Sequence, residues 1–330
     1  MFRRTCLIIL FFISFLWSEE KSNLILKGSG ATFPYPLYQK WILEYAKISD
    51  VKIIYEPVGS GQGIADLLNN RVDFGGTDVF LNDEELQKFK DKVIHIPTCI
   101  GAIVFTYNLP INKPLNLSKK TMIHILTGKI KNWNAPIIQD DNPGLKLPDR
   151  EITLIHRSDD SGSTYVLTSY LSKISNEWKK KYGFGKHFHW ELGIGVEGNE
   201  NIAKYIQKIP GSIGYIPFTY AKRENLPIAM IENENGNFIL PTVHSITKAA
   251  ETIIPDDVRT NLLASKNKKS YPISTFSYVI YTEKKSPETT ETQKLKAGKE
   301  LFNWMLTEGQ KYNEEYFYAP IPKNVTEKIF

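Results

Sequence analysis

The run Arg157-Ser158-Asp159-Asp160-Ser161-Gly162-Ser163-Thr164 joins a β-like stretch at 152–156 directly to a helix-like stretch at 165–171. Such a joint constrains the fold strongly, because the helix must pack back onto the sheet its strand enters. The same alternation recurs along the chain. Residues 52–56, 94–96, 102–107, 213–216 and 277–281 read as strands. Residues 63–70, 165–172, 202–208 and 296–306 read as helices, the first with Ile64, Leu67 and Leu68 on one face. This pattern predicts an α/β fold with mainly parallel sheets. Loops rich in Pro, Asn, Asp and Gly fall at 108–118, 134–150 and 255–272, and none separates two contiguous domains. The expected domains are therefore discontinuous, with two chain crossings as a hinge.

The N-terminus reads as an address. Arg3 and Arg4 precede an apolar run at 6–17, Ser18 is a small residue placed for cleavage, and Glu19-Glu20-Lys21 opens a polar chain. That order predicts a signal peptide over residues 1–18 and a soluble, exported protein, which the resemblance given below places in the periplasm. An uncleaved N-terminal anchor is the competing reading. Cys6 lies inside the apolar run, so the mature chain keeps only Cys99, which excludes an internal disulfide and a thiolate metal cluster. The formal charge of +5 is modest for 330 residues, and the lysines are scattered, which argues against a nucleic-acid partner. No cofactor is expected. His187-x-His189 has no carboxylate or cysteine beside it to complete a metal site.

The chemistry concentrates at the joints. Free N–H groups of a first helical turn carry partial positive charge, and Arg157 adds a full charge with a planar donor fork. Gly28-Ser29-Gly30-Ala31-Thr32-Phe33-Pro34 follows an apolar strand at 24–26 and precedes a helix-like run at 38–45. Gly59-Ser60-Gly61-Gln62-Gly63 lies between the strand at 52–56 and the helix at 63–70. In Asp73-Phe74-Gly75-Gly76-Thr77-Asp78 a short strand ends in a carboxylate. Each turn alone is ordinary. Neither glycine turn ends in Gly-Lys-Ser/Thr or completes a dinucleotide pattern, so nucleotide binding is not supported. Repetition of hydroxyls, glycines and helix starts points to a small oxyanion.

Taken together, GSGATFPYPLYQKW (28–41), VGSGQG (58–63), VDFGGTD (72–78), LTGKIKNWN (126–134), NPGLKLP (142–148), HRSDDSGSTYVLTSYL (156–171), PGSIGYI (210–216) and YPIS (271–274) make the chain resemble the periplasmic phosphate-binding proteins of ABC-type uptake systems. The resemblance implies a two-lobed periplasmic binding protein fold of type II, with the ligand in a cleft between α/β lobes. The expected division is residues 19–102 plus 274–330 in lobe I and 103–273 in lobe II. Carried over by motif, the phosphate ligands would be Thr32, the Phe33 backbone N–H, Ser60 and Asp78 from one lobe. Arg157, Ser161, Gly162 and Ser163 would supply the other. Asp159 would orient Arg157. The family usually has threonine at the position of Ser163, and commonly glycine where Asp160 stands. The implied partners are inorganic phosphate and an inner-membrane ABC permease, and the protein would be a monomer without enzymatic activity.

Asp78 has a physical role to fill. An ionised carboxylate only accepts hydrogen bonds, so it suits an anion that still carries a proton. Phosphate does at neutral pH; sulfate does not and would meet Asp78 lone pair to lone pair. Two rival readings stay open. Ser161 near His156 suggests a phosphate-ester hydrolase, although Asp159-Asp160-Ser161-Gly162-Ser163 lacks Gly-x-Ser-x-Gly, and His156 should point away from Arg157 on a regular strand. Another small solute could also occupy this fold, but a sugar would want aromatic platforms, and Trp41, Trp133, Trp178 and Trp190 read as core.

Overall fold

The computed structural model describes residues 24–283 and 289–329. The expected signal peptide and Cys6 lie outside the described residues. Among the described residues eleven strands form, in chain order β1 (Ile25–Gly30), β2 (Lys52–Glu56), β3 (Phe74–Thr77), β4 (Val93–Tyr107), β5 (Asn116–Leu117), β6 (Thr153–Arg157), β7 (Ile194–Val196), β8 (Ser212–Pro217), β9 (Met230–Glu232), β10 (Phe238–Ile239) and β11 (Ser274–Thr282). Eight of them make one sheet in the order β2-β1-β3-β11-β4-β8-β6-β7; β10-β9-β5 make a second, small sheet.

The large sheet changes partner along β4. Residues 93–102 of that strand pair antiparallel with β11, and residues 103–107 pair antiparallel with β8. The outer strands are parallel: β1 with β2 and β3, β6 with β7 and β8. The sheet is thus mixed rather than mainly parallel. Parallel βαβ units fill both flanks, while β11, returning from the C-terminal side, closes the centre antiparallel to β3 and β4.

The separate strands read at 94–96 and 102–107 are one fifteen-residue strand. Pro97, which cannot donate to a ladder, lies within it. The chain accommodates it with a bulge: Ser277 faces Cys99 and Tyr278 faces Pro97, leaving Thr98 without an opposite residue. The Thr98 hydroxyl donates to the Ser277 carbonyl at 3.1 Å and meets the Tyr38 hydroxyl at 2.9 Å.

Helices pack on both flanks over a continuous apolar core in which Trp41, Trp133 and Trp178 are buried. The core reading of the tryptophans thus holds, Trp190 included. Several helices begin earlier than their apolar periodicity indicates: Tyr35–Tyr45, Ser60–Leu68, Gly162–Ile174 and Gly198–Lys208. The first turns of Ser60–Leu68 and Gly162–Ile174 are glycine- and serine-rich, hence invisible to a hydrophobic pattern, and they hold the candidates Ser60, Gly162 and Ser163. Among the described residues no helix is long and apolar enough to cross a membrane.

Candidate functional site

Four strand ends converge. β1 delivers Thr32 and Phe33, β3 delivers Asp78, β6 delivers Arg157, and the turn after β2 delivers Ser60. Strands of an α/β sheet present their carboxyl ends, and the helices that follow, to one crevice. Gly59 makes the Ser60 turn possible with φ 97°, a left-handed conformation that suits glycine. Its N–H donates to the Gly30 carbonyl at 2.8 Å, fixing the loop against β1.

The backbone of the β1 loop is clamped from behind. The hydroxyls of Tyr55, Tyr220 and Tyr318 donate to the carbonyls of Ala31, Thr32 and Phe33, at 2.9, 2.7 and 2.5 Å. With three successive carbonyls held this way, the Phe33 N–H is left without a partner among the described residues. The N–H groups of Ser60, Gly162 and Ser163, at first helical turns, also lack a partner there. The Ser163 hydroxyl is fully buried and makes no hydrogen bond. A buried hydroxyl is rarely left unpaired without a reason, and a ligand is one.

Arg157 is 2% exposed and held rigidly. Nε donates to Asp159 Oδ1 at 2.6 Å, Nη2 bonds Asp159 Oδ2, and Nη1 donates to Asn199 Oδ1 at 2.9 Å. Burial alone would raise the Asp159 pKa, but the guanidinium hydrogen bonds and charge outweigh it and hold the carboxyl below its ordinary value. Ser161 caps the helix Gly162–Ile174 by accepting from the Thr164 N–H at 3.2 Å, which leaves its own O–H free to donate.

Asp78 is 2% exposed, and its carboxylate lies against Ser60 and Gly162. Ser277 donates to Oδ1 at 3.0 Å and Ser60 to Oδ2 at 3.3 Å. Burial pushes its pKa from 3.8 up to about 7, against the opposing pull of the Ser277 bond, the Arg157 charge and the Ser60 bond. Asp78 therefore holds or gives up a proton near neutrality.

The two sides touch closely. A Cβ at Gly162 would collide with Ser60 Oγ and Asp78 Oδ2, so only glycine fits between them. The Gly61 N–H donates to the Asp160 carbonyl at 3.2 Å. The Asp160 side chain is exposed and turned to His187 at 3.1 Å rather than into the site. The eight candidates and Asp159 are thus brought together where β1, β2, β3 and β6 end and the following helices begin. Asn199, Ser277 and the clamping tyrosines were not singled out from sequence. The signal for Asn199 was present: Gly198-Asn199 opens a helix directly after β7, the same joint chemistry as at Ser161. His156 lies apart, its Nδ1 3.0 Å from the Arg157 carbonyl and its ring against Trp190. Among the described residues no group of three or more His, Cys, Asp or Glu side chains is placed to hold a metal ion.

The model of the PBP superfamily domain matches residues 18–308. The phosphate-binding protein PstS of Haemophilus influenzae is 39% identical over 92% of this chain and 91% of its own length. The chain belongs to the phosphate-binding protein (PstS) family. A high-affinity periplasmic phosphate-binding protein solved with bound phosphate shares the fold at TM-score 0.76 and 18% identity, over 93% of each chain. An ABC-type phosphate transport receptor from Vibrio cholerae shares it at TM-score 0.59 and 16% identity, over 90% of this chain and 100% of that one. The fold of this family member is the two-lobed α/β periplasmic binding protein fold, and β4 runs through both halves of its sheet.

Proposed function

We propose that this protein captures inorganic phosphate in the crevice between its lobes and delivers it to an ABC permease. The observation that carries this reading is the pairing of many buried, unpartnered donors with one buried carboxylate. The donors are the N–H groups of Phe33, Ser60, Gly162 and Ser163 and the Ser163 hydroxyl. Thr32, Ser60, Ser161 and Arg157 complete the proposed ligand set. A buried anion needs every oxygen hydrogen-bonded.

Asp78 gives the set its specificity. Phosphate changes between mono- and dianion near neutrality, and Asp78 titrates at about 7. Protonated Asp78 with the dianion and ionised Asp78 with the monoanion hold the same two protons and differ only in which oxygen carries one of them. That proton lies between two oxygens that would otherwise repel. Sulfate brings no proton at neutral pH, so binding it requires Asp78 to supply one or to leave two acceptors opposed.

Closure couples binding to delivery. The proposed lobes are the described residues of 19–102 with 274–330 and those of 103–273, with crossings at 102/103 and 273/274; near these the Ile103 N–H donates to the Ile273 carbonyl at 2.9 Å. Each lobe holds part of the ligand set, so the anion stabilises the closed form that a permease would recognise. Residues 1–18 direct export, and the mature protein acts as a periplasmic monomer. Binding without hydrolysis is the reading supported by His156, whose Nδ1 lies 3.0 Å from the Arg157 carbonyl and whose ring packs against Trp190. Isothermal titration of the mature protein with phosphate should give one tight site per chain, and a chromogenic phosphate ester should not turn over. Absence of phosphate binding overturns the reading.

A further inference from the structure

Asn199 sits at the start of the helix Gly198–Lys208, 1% exposed, between Arg157 and Thr32. Its Oδ1 accepts from Arg157 Nη1 at 2.9 Å, and its Nδ2 donates to Thr32 Oγ1 at 2.8 Å. The orientation of this amide follows from chemistry. A guanidinium has donors only, so it must face the amide oxygen. The amide nitrogen then faces Thr32. Arg157 Nη1 approaches the same hydroxyl at 3.5 Å.

The Thr32 hydroxyl has two lone pairs and one proton. It receives hydrogen bonds from two donors and gives none to any described residue. Its proton has to be offered elsewhere, and the neighbouring unpartnered donors mark where an anion would lie. The arrangement runs one way: Arg157 fixes Asn199, Asn199 fixes Thr32, and Thr32 donates.

We infer that Asn199 is a positioning residue that sets the hydrogen-bond direction of the site, making the Thr32 hydroxyl a donor to the bound anion. The inference rests on the proposed phosphate function. Asn199 also spans the two sides, since Thr32 follows β1 while Arg157 and Asn199 follow β6 and β7. It therefore acts only when both sides are together. Asn199→Asp is the sharpest perturbation. It keeps the shape but leaves acceptors only, so the Thr32 proton turns to the carboxylate and away from the anion.

The test is a double-mutant cycle read by calorimetry with inorganic phosphate, using the full mature chain. Asn199→Ala should weaken binding about tenfold, the range of one oriented hydrogen bond. Thr32→Val should weaken it by a similar or larger factor, and the double variant should be no weaker than Thr32→Val within about twofold. A merely structural role predicts that Asn199→Ala costs the same factor in both backgrounds, and that result overturns the inference. Asn199→Asp should lose at least about a hundredfold with a melting temperature close to wild type, two such bonds being affected. Wild-type affinity in that variant overturns the inference independently, even where Asn199→Ala fails to fold. If the wild-type chain binds no phosphate at all, the proposed function falls and this inference with it. If the wild type binds and the cycle is additive, only the inference falls.

Discussion

Replacing Asp78 by asparagine should stabilise the phosphate-free protein, and the gain should depend on pH. Asp78 titrates at about 7 in the fold against 3.8 as its ordinary value, because burial disfavours its charge. Between these values the folded state binds more protons than the unfolded state, so wild-type stability falls as pH rises through this window. Above about pH 8 the whole penalty is present. A difference of roughly three pKa units corresponds to about 4 kcal/mol, an upper figure because the unfolded chain and local relaxation share it. Asparagine carries no charge, and its amide can still meet the Ser277 and Ser60 hydroxyls, since each can accept as well as donate. The variant should therefore exceed wild type by about 2–4 kcal/mol at pH 8 and converge with it near pH 4. Urea unfolding at pH 4.5, 6, 7 and 8 reads this directly. Phosphate must be removed first, because a ligand of the folded state raises apparent stability by mass action. A difference that is flat across this range, or that grows toward acid pH, would refute the assignment of a proton-retaining carboxylate.

Three further outcomes follow from the same geometry. Ser163→Ala removes a buried hydroxyl that has no partner in the fold, so phosphate affinity should drop about 10- to 100-fold while the phosphate-free protein keeps or slightly gains stability, as calorimetry and thermal melting would show. Gly162→Ala places a methyl group against Ser60 and Asp78, which should abolish tight phosphate binding in the same titration. Lys186 donates to Glu85 at 2.5 Å, and Arg259 pairs with Asp83 at 2.8 Å, each pair joining the two proposed lobes. Lys186→Ala should speed phosphate release a few-fold in stopped-flow measurements, with an effect that shrinks at high salt, because both groups are partly exposed.

Much of the site was legible in the sequence because its chemistry is local. Each ligand candidate lies within a few residues of a strand end, so a turn such as Asp159-Asp160-Ser161-Gly162-Ser163 displays donors, cap and charge in one reading. The convergence of these turns came from the resemblance rather than from periodicity. Contacts made over long sequence separations were not legible. Ser277 reaches Asp78 from a strand almost two hundred residues away, and the tyrosines that clamp Ala31, Thr32 and Phe33 come from β2, a helix after β8 and the C-terminal segment. The mixed sheet escaped for a related reason. Alternating strands and helices indicate parallel units, but the partner choice of β11 depends on where the chain re-enters. The unbroken β4 contains Pro97, whose cost is absorbed by a bulge that no local rule predicts.

The central claim is that Asp78, once ionised, admits only an anion that brings a proton to it. Its most direct test is competitive calorimetry of phosphate and sulfate on wild type and Asp78→Asn at pH 8. Wild type should bind phosphate tightly and give no measurable heat with sulfate. The variant, whose amide can donate, should bind sulfate with an affinity raised by at least tenfold, about 1.4 kcal/mol, over wild type. Unchanged rejection of sulfate by the variant, or tight sulfate binding by wild type, would contradict the account.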